Sequence, residues 1–122
     1  MNRPAIEALI RHQAAAWQQA DFEAIGDDFC PDGQLISPGG TFQGPAAIAD
    51  VARQWYTVCS GVDVEIKRII VEGNRGAVEW VWHETRRADN QVYTMEDGII
   101  FEIEDGKIAY WREYFDPNAK RR

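Results

Sequence analysis

VYTMEDGIIFEIEDGKIAYWREYFD, residues 92–116, is the stretch that decides the fold, because two runs of β-branched and aromatic residues flank the turn sequence EDG at 104–106. Runs of this kind, separated by a short turn that contains glycine, predict a β-hairpin. We expect a three-residue loop with Gly106 in the left-handed conformation. Such a loop pairs Ile103 with Lys107 across the hairpin.

The sequence before this hairpin predicts two more long strands, at 62–71 and 76–87, with turn sequences between them. A short strand is expected at 34–37. Helices followed by an antiparallel meander of four long strands predict an α+β domain with the helices on one face of the sheet. Apolar residues at helical spacing predict the helices at 4–19, after Asp21, and from Gly44-Pro45.

One charged residue interrupts the apolar face of the strand predicted at 92–103. Residues two apart in a strand share a face, and the odd positions form the apolar one. Asp97 is its only charged member. Burying an unpaired carboxylate is costly unless the group is protonated, paired or hydrogen-bonded. Asp97 is therefore the leading candidate for a functional residue.

Counting outward from the two predicted turns places Asp97 directly opposite Glu113 on one side and Trp82 on the other. Two neighbouring carboxyl groups on a half-dry face can share one proton, which raises one pKa towards neutrality. Such a pair suits general acid–base catalysis, so Asp97 and Glu113 are the candidate catalytic residues. The structural alternative is that each carboxyl accepts a hydrogen bond from a tryptophan indole or from a helix-borne arginine such as Arg53.

Five tryptophans in 122 residues are many. Three of them are expected on the inner sheet face, where they either form core or line an apolar ligand pocket. We favour the pocket, because aromatic walls with a few polar groups are typical of ligand sites. The candidate substrate-binding residues are Trp80, Trp82, Trp111, Ser37, Met95, Phe115 and Trp17.

Composition restricts the function classes. The chain is 45% hydrophobic and 27% charged, which fits one globular domain over residues 1–122. A net charge of −7 disfavours nucleic acid as a partner. No apolar run is long enough to span a membrane, and without a signal-peptide region we expect a cytoplasmic protein.

Metal and cofactor motifs are not found in the sequence. Cys30 and Cys59 stand far apart outside any CxxC motif, and His12 and His83 add no zinc-site spacing. His83 is expected on the outer sheet face. We therefore expect two free thiols, no metal and no cofactor.

The outer sheet face is expected to carry Ile108, Tyr110, Tyr114 and Val81 among charged residues. That is more apolar surface than a monomer usually leaves exposed to water. We expect a homodimer that forms through this face.

The stretch 98–116, GIIFEIEDGKIAYWREYFD, resembles the closing hairpin of the nuclear transport factor 2-like superfamily, and of its SnoaL-like polyketide cyclase branch in particular. The segment AWQQADFEAIGDDFCPDGQL at 16–35 and the helix start GPAAI at 44–48 fit the same plan. The resemblance implies a cone-shaped, cystatin-like α+β fold with three N-terminal helices on a curved antiparallel sheet. It also implies an internal pocket. The superfamily hosts enzymes of several kinds and non-catalytic binders.

The resemblance carries over to individual residues only in part. In limonene epoxide hydrolase, a catalytic Asp stands where this chain has Glu113. The other members of its water-activating set, an Arg and an Asp, would fall at Trp80 and Trp82. Since neither tryptophan can replace them, epoxide hydrolysis is not expected.

In ketosteroid isomerase the oxyanion-hole Asp would fall at Asp97 or Ile99, whereas the base would fall near Ser37 and the oxyanion-hole Tyr near Gln13. Cyclases of the SnoaL type use inward acidic groups to protonate or enolise their substrates. That role is open to Asp97 and Glu113.

The leading hypothesis is a cofactor-independent acid–base enzyme that isomerises, cyclises or dehydrates a small, mostly apolar ring compound. Asp97 would be the neutral acid or oxyanion donor, and Glu113 its partner and base. The alternatives are a non-catalytic module that binds a hydrophobic metabolite, and a dimeric interaction domain whose pocket is filled by side chains.

Overall fold

The computed structural model describes residues 1–118 and the backbone of residues 120–121. The three predicted helices and the four long strands are present close to their predicted bounds. The helices are α1 (Arg3–Gln18), α2 (Phe22–Asp27) and α3 (Pro45–Val58). The strands are β1 (Phe29–Ser37), β2 (Gly40–Gln43), β3 (Cys59–Glu72), β4 (Arg75–Arg86), β5 (Val92–Glu104), β6 (Lys107–Tyr114) and β7 (Lys120–Arg121).

Each helix begins at a helix-start signal in the sequence. The Asn2 side chain accepts the Ala5 N–H at 3.0 Å before α1, and the Asp21 side chain accepts the Ala24 N–H at 3.2 Å before α2. Pro45 lies in the first turn of α3, where its missing N–H costs no hydrogen bond. One stripe of α1 is buried, and it contains Ile6, Ile10, Gln13, Ala14 and Trp17.

The helices pack against a curved, open sheet with the strand order β2-β1-β6-β5-β4-β3. This sheet is mixed, because β1 runs parallel to β6 with Leu35 opposite Trp111. The prediction of an antiparallel sheet is therefore wrong for this pair, although the meander from β3 to β6 is antiparallel as expected. β1 also begins earlier than predicted, at Phe29, and α3 follows β1 and β2 in the chain.

From Trp111 onward, the β5–β6 hairpin keeps the predicted faces but not the predicted register. Asp105 and Gly106 both have positive φ, of 52° and 76°, so the loop has two residues and Glu104 pairs with Lys107. A bulge at Ala109 then shifts the pairing by one more residue. As a result Glu113 lies opposite Ile99, not Asp97. The two shifts add to an even number, so the same side chains still face inward.

The β4–β5 hairpin is also displaced by two residues from its predicted register. The Arg86 N–H donates to the Gln91 carbonyl at 2.9 Å, and Thr85, not Arg87, is paired with Val92. Trp80 therefore lies opposite Asp97, and Trp82 lies opposite Met95. Again the even displacement preserves the faces, which is why the inward residues were predicted correctly and their partners were not.

β7 completes the sheet at a place that β6 does not reach. The β5–β6 pairing stops at Gly98 opposite Tyr114. Beyond that point β7 pairs with the beginning of β5, at Tyr93 and Thr94. The backbone of β5 is thus hydrogen-bonded on both sides over most of its length, which fixes the strand that carries Asp97.

Glycine substitutions provide a test of the packing. A Cβ at Gly76 in β4 would lie 1.9 Å from the Ile70 carbonyl oxygen and 2.7 Å from the Phe101 ring, whereas a Cβ at Gly61 in β3 would meet nothing within 4 Å. We expect Gly76→Ala to lower the free energy of unfolding by about 1–3 kcal/mol. Gly61→Ala is the matched control and should change it by less than about 1 kcal/mol. Urea denaturation measures both, and equal effects would contradict the described packing.

Candidate active site

A cavity of about 290 Å³ lies between the inner face of the sheet and the helices α1 and α3. Aromatic and aliphatic side chains form most of its wall. Asp97 and Glu113 are its acidic members. The lining residues are Trp17, Leu35, Ser37, Gly39, Phe42, Val51, Gln54, Trp55, Trp82, Met95, Asp97, Glu113 and Phe115.

Asp97 is buried in the middle of β5, with 4% of its surface exposed. Burial, a hydrogen bond with Glu113 and the charge of Glu113 together raise the pKa of Asp97 from 3.8 to about 10, and burial is the largest cause. The Trp80 indole and the Tyr114 backbone lower this pKa, but the Trp80 N–H makes no hydrogen bond of ordinary geometry. Oδ1 of Asp97 has no partner among the described residues. Asp97 is therefore a neutral carboxylic acid at pH 7.

Glu113 approaches Asp97 diagonally from β6, because the residue directly opposite Glu113 is Ile99. Its Oε2 accepts the Trp111 indole N–H at 3.1 Å, and its side chain is half-buried. A hydrogen bond between two carboxyl groups requires one of them to hold a proton. The structure thus brings the two predicted catalytic residues together, by a different register from the predicted one.

The alternative explanation, that a tryptophan indole or Arg53 donates a hydrogen bond to each carboxyl group, holds only in part. Trp111 does donate to Glu113. Arg53, however, lies at the surface, where it pairs with Asp50 at 2.5 Å and with Glu23 at 3.5 Å. Asp97 and Glu113 therefore have no arginine partner within the described part of the chain.

The tryptophans predicted to line a pocket divide into two groups. Trp82 lines the cavity and packs edge-on against Trp17 from α1, with ring centroids 5.2 Å apart. Trp80 and Trp111 are fully buried beneath the wall, with centroids 5.6 Å apart, and do not line the cavity. For Trp111 the displaced β5–β6 register accounts for this, because it places Trp111 opposite Phe101, not Ile99, and so further along β5 from the cavity residues. Trp80 lies opposite Asp97, and its ring packs against Trp111 below the wall.

Trp82 is held in place by an ion pair whose carboxyl group is buried. Its indole N–H donates to Glu84 Oε1 at 2.8 Å, and Arg86 Nε donates to Glu84 Oε2 at 2.9 Å. Arg86 in turn lies over the Tyr93 ring, 3.8 Å from its centroid. The second buried carboxyl of the inner face, Glu84, therefore has a cation beside it, unlike Asp97.

Trp17 is fixed by a hydrogen-bond chain that begins at the surface. His12 and Gln13 both contact Asp28 Oδ2, at 2.8 and 2.9 Å. Gln13 Oε1 accepts the Trp17 indole N–H at 3.1 Å, and the Tyr56 hydroxyl donates to the Trp17 carbonyl. Trp17 is thus held by hydrogen bonds at its backbone carbonyl and at its indole nitrogen.

The remaining predicted site residues lie in the wall. Ser37, Met95 and Phe115 line the cavity, and Ser37 Oγ accepts the Gly39 N–H at 3.2 Å. Phe42 of β2 and Trp55 of α3 also line the cavity, and neither is among the predicted site residues.

His83 lies on the outer face as expected, with Nδ1 2.9 Å from Thr94 Oγ1. Ile108 does not lie there. It is fully buried, because the two-residue turn pairs it with the inward Ile103 before the Ala109 bulge is reached, which corrects the predicted composition of the outer face.

Reactive thiols, clusters of metal ligands and membrane-spanning helices are not found among the described residues. Cys30 and Cys59 are buried free thiols, and burial raises the pKa of Cys59 to about 11. No three His, Cys, Asp or Glu side chains converge there as metal ligands. Within the described residues, no helix has the length and apolar character that crossing a membrane requires.

The fold matches solved structures with ketosteroid isomerase-like and NTF2-like folds. The sequence gives the narrower assignment. Residues 10–111 match the model of the SnoaL-like domain, so the chain belongs to the SnoaL-like family. No curated protein matches the sequence.

Three solved structures illustrate the similarity. A protein with a ketosteroid isomerase-like fold from Catenulispora acidiphila DSM 44928, in complex with trimethylamine, is 18% identical with a TM-score of 0.86, over 91% of this chain and 87% of that one. TerC, co-crystallised with polyporic acid, is 25% identical with a TM-score of 0.81, over 93% and 92%. A hexachlorocyclohexane dehydrochlorinase (LinA) of type 2 is 16% identical with a TM-score of 0.85, over 98% and 88%.

The raised pKa of Asp97 predicts an unusual dependence of stability on pH. Between pH 3.8 and about 10 the folded state holds a proton that the unfolded state has released, so stability falls as pH rises, by at most about 1.4 kcal/mol per pH unit. Asparagine does not titrate. We therefore expect Asp97→Asn to gain stability relative to the unmodified protein as pH rises from 5 to 8.

Urea denaturation at several pH values in this range measures the difference. Glu102→Gln, which removes an exposed carboxyl from the other face of β5, is the matched control and should follow the unmodified protein at every pH. If the difference in the free energy of unfolding between Asp97→Asn and the unmodified protein does not change with pH, Asp97 is not a neutral acid in the folded protein.

Proposed function

We propose that this chain is an acid–base enzyme that acts, without a cofactor, on a small and mostly apolar ring compound bound in the 290 Å³ cavity. The observation that carries the proposal is the buried, neutral Asp97 beside Glu113 in an aromatic wall. Keeping a carboxylic acid neutral at pH 7 gives the site a proton donor that water cannot replace. In the proposed cone-shaped arrangement, α1 and α3 close over the inner sheet face.

Each carboxyl group has a separate role in the proposed reaction. Asp97 donates its proton to a substrate oxygen, either a carbonyl that becomes an enol or a hydroxyl that leaves as water. Glu113 accepts a proton from the adjacent carbon. Because the two groups are hydrogen-bonded, the proton gained by Glu113 can return to Asp97 and restore the pair. Isomerisation, aldol-type cyclisation and dehydration all fit this exchange.

The walls support a ring-shaped substrate. Trp17 and Trp82 present a rigid aromatic corner, and each indole N–H is already used within the protein. Phe42, Trp55 and Phe115 complete the apolar lining. Similar structures include the dehydrochlorinase and two putative hydroxylases, so enzymatic activity is compatible with this fold.

A thermal-shift screen would identify the ligand. The panel contains cyclic enones, lactones, epoxides and aromatic acids at pH 6 and pH 8. A ligand present at about 100 times its Kd should stabilise the protein by about 2.7 kcal/mol. Trp82→Ala should remove the shift if the ligand binds in the cavity. A hit without turnover would instead favour a non-catalytic binding module.

The catalytic role of Asp97 is tested on the compound found in this way. We expect Asp97→Asn to lower kcat by roughly 10²–10⁴-fold while the ligand-induced thermal shift is kept, because asparagine has the same shape but cannot donate the acidic proton. Glu102→Gln should retain full activity. Full turnover by Asp97→Asn would eliminate the proposed acid.

We also propose that the outer sheet face joins two copies of the chain. Three of the large apolar side chains that are exposed in the described residues, Ile70, Ile100 and Tyr114, surround one hollow of about 770 Å³. Gly98 leaves this hollow open because it has no side chain there. Two basic residues of β3 line this hollow together with Glu79 of β4 and Glu96 of β5, so a twofold rotation can bring opposite charges together.

Charged substitutions at exposed apolar positions test the dimer. We expect the protein to be a dimer by light scattering at micromolar concentration and Ile100→Glu to make it monomeric, because a buried unpaired carboxylate opposes association. Val58→Glu, at an equally exposed residue at the end of α3, is the control and should remain dimeric. A monomeric unmodified protein would contradict the proposal.

A further inference from the structure

The cavity has an unusual balance of charge. Two of its lining residues carry carboxyl groups, Asp97 and Glu113. Among the described residues that line it, none carries a positive charge. An anionic ligand would meet the carboxyl pair without any compensating cation, in a partly water-excluded space where repulsion is strong.

Asp97 differs in this respect from the other buried carboxyl of the inner face. Glu84 has a cation and an indole beside it, with Arg86 Nε at 2.9 Å and Trp82 Nε1 at 2.8 Å. Asp97 has only 4% of its surface exposed. Its buried Oδ1 has no hydrogen-bond partner in the described part of the chain. Among the described residues, the Asp97–Glu113 pair at the cavity therefore has no positively charged partner, whereas Glu84 has Arg86.

The rest of the wall also favours a positive ligand. Five aromatic rings line the cavity, from Trp17, Phe42, Trp55, Trp82 and Phe115. The faces of such rings attract organic cations, and boxes of aromatic rings are a known way to hold ammonium groups. At about 290 Å³ the cavity lies at the small end of the range for ligand sites, which suits a compact ammonium group.

We propose that the ligand of this cavity is a small organic cation, an amine or quaternary ammonium compound whose charge lies beside Glu113 and whose apolar groups pack against the aromatic rings. This inference rests on the proposed function in one respect, that the cavity holds a small molecule. It narrows the substrate class to apolar compounds that carry a positively charged nitrogen. Glu113 is then the residue that decides between cations and their neutral analogues.

The test compares three molecules of nearly the same shape: choline, the neutral 3,3-dimethylbutan-1-ol and the anionic 3,3-dimethylbutanoate. Binding is measured by calorimetry and by tryptophan fluorescence at pH 7. We expect choline to bind about tenfold more tightly than the alcohol, and the acid not to bind at all. An alcohol that binds as tightly as choline would overturn the cation preference while leaving the proposed enzyme function open to its own assay.

Two variants locate the effect. Glu113→Gln should bring the Kd values of choline and the alcohol to within about twofold of each other, and Trp82→Ala should weaken both. Glu102→Gln removes the same charge from the exposed face of β5 and should leave the ratio unchanged. If Glu113→Gln and Glu102→Gln reduce the preference for choline over the alcohol equally, the proposal is overturned, because the attraction would then come from the net charge of −7.

Salt provides an independent check. Attraction between choline and surface charges is strongly screened when the salt concentration rises from about 20 to about 200 mM, whereas attraction inside the cavity is screened much less. We expect the preference for choline over the alcohol to persist at the higher concentration. Its disappearance, or no binding of any of the three compounds, would overturn the proposal.

Discussion

One unpaired residue, Ala109, determines which side chains of β6 face the helices. The two-residue turn places Ile103 opposite Ile108, and both are inward. Without a bulge, alternation from Ile108 would turn Tyr110, Arg112 and Tyr114 inward and would send Trp111 and Glu113 outward. The bulge reverses this order two residues after β6 begins at Lys107. The carboxyl pair and the packing beneath the cavity both depend on it.

The sequence alone was sufficient for most of the faces of the sheet, with Ile108 as an exception, because they follow from alternation and a strong apolar pattern. Asp97 could be singled out for the same reason, as the only charge on its face. The pairing partners could not be obtained in this way. The choice between a two-residue and a three-residue turn depended on whether Asp105 adopts positive φ, and nothing in the pattern marked Ala109 as a bulge.

Other parts of the site depend on contacts between distant segments. The parallel pairing of β1 with β6 joins residues far apart in the chain, and no local signal specifies it. Phe42 and Trp55 reach the cavity because the fold brings β2 and α3 to its wall. Trp80 and Trp111 had the right face, but their position along the strands placed them below the wall. Local patterns thus predicted the composition of the inner face better than the outline of the cavity.

The two tryptophan pairs have an optical consequence. Trp17 and Trp82 lie 5.2 Å apart at 74°, and Trp80 and Trp111 lie 5.6 Å apart at 51°. Indoles this close and this strongly inclined couple their electronic transitions, so the circular dichroism of the chain contains exciton bands that overlap the peptide signal. Helix content read from such a spectrum would be distorted. The same bands would report directly on whether the aromatic corner of the cavity keeps its geometry.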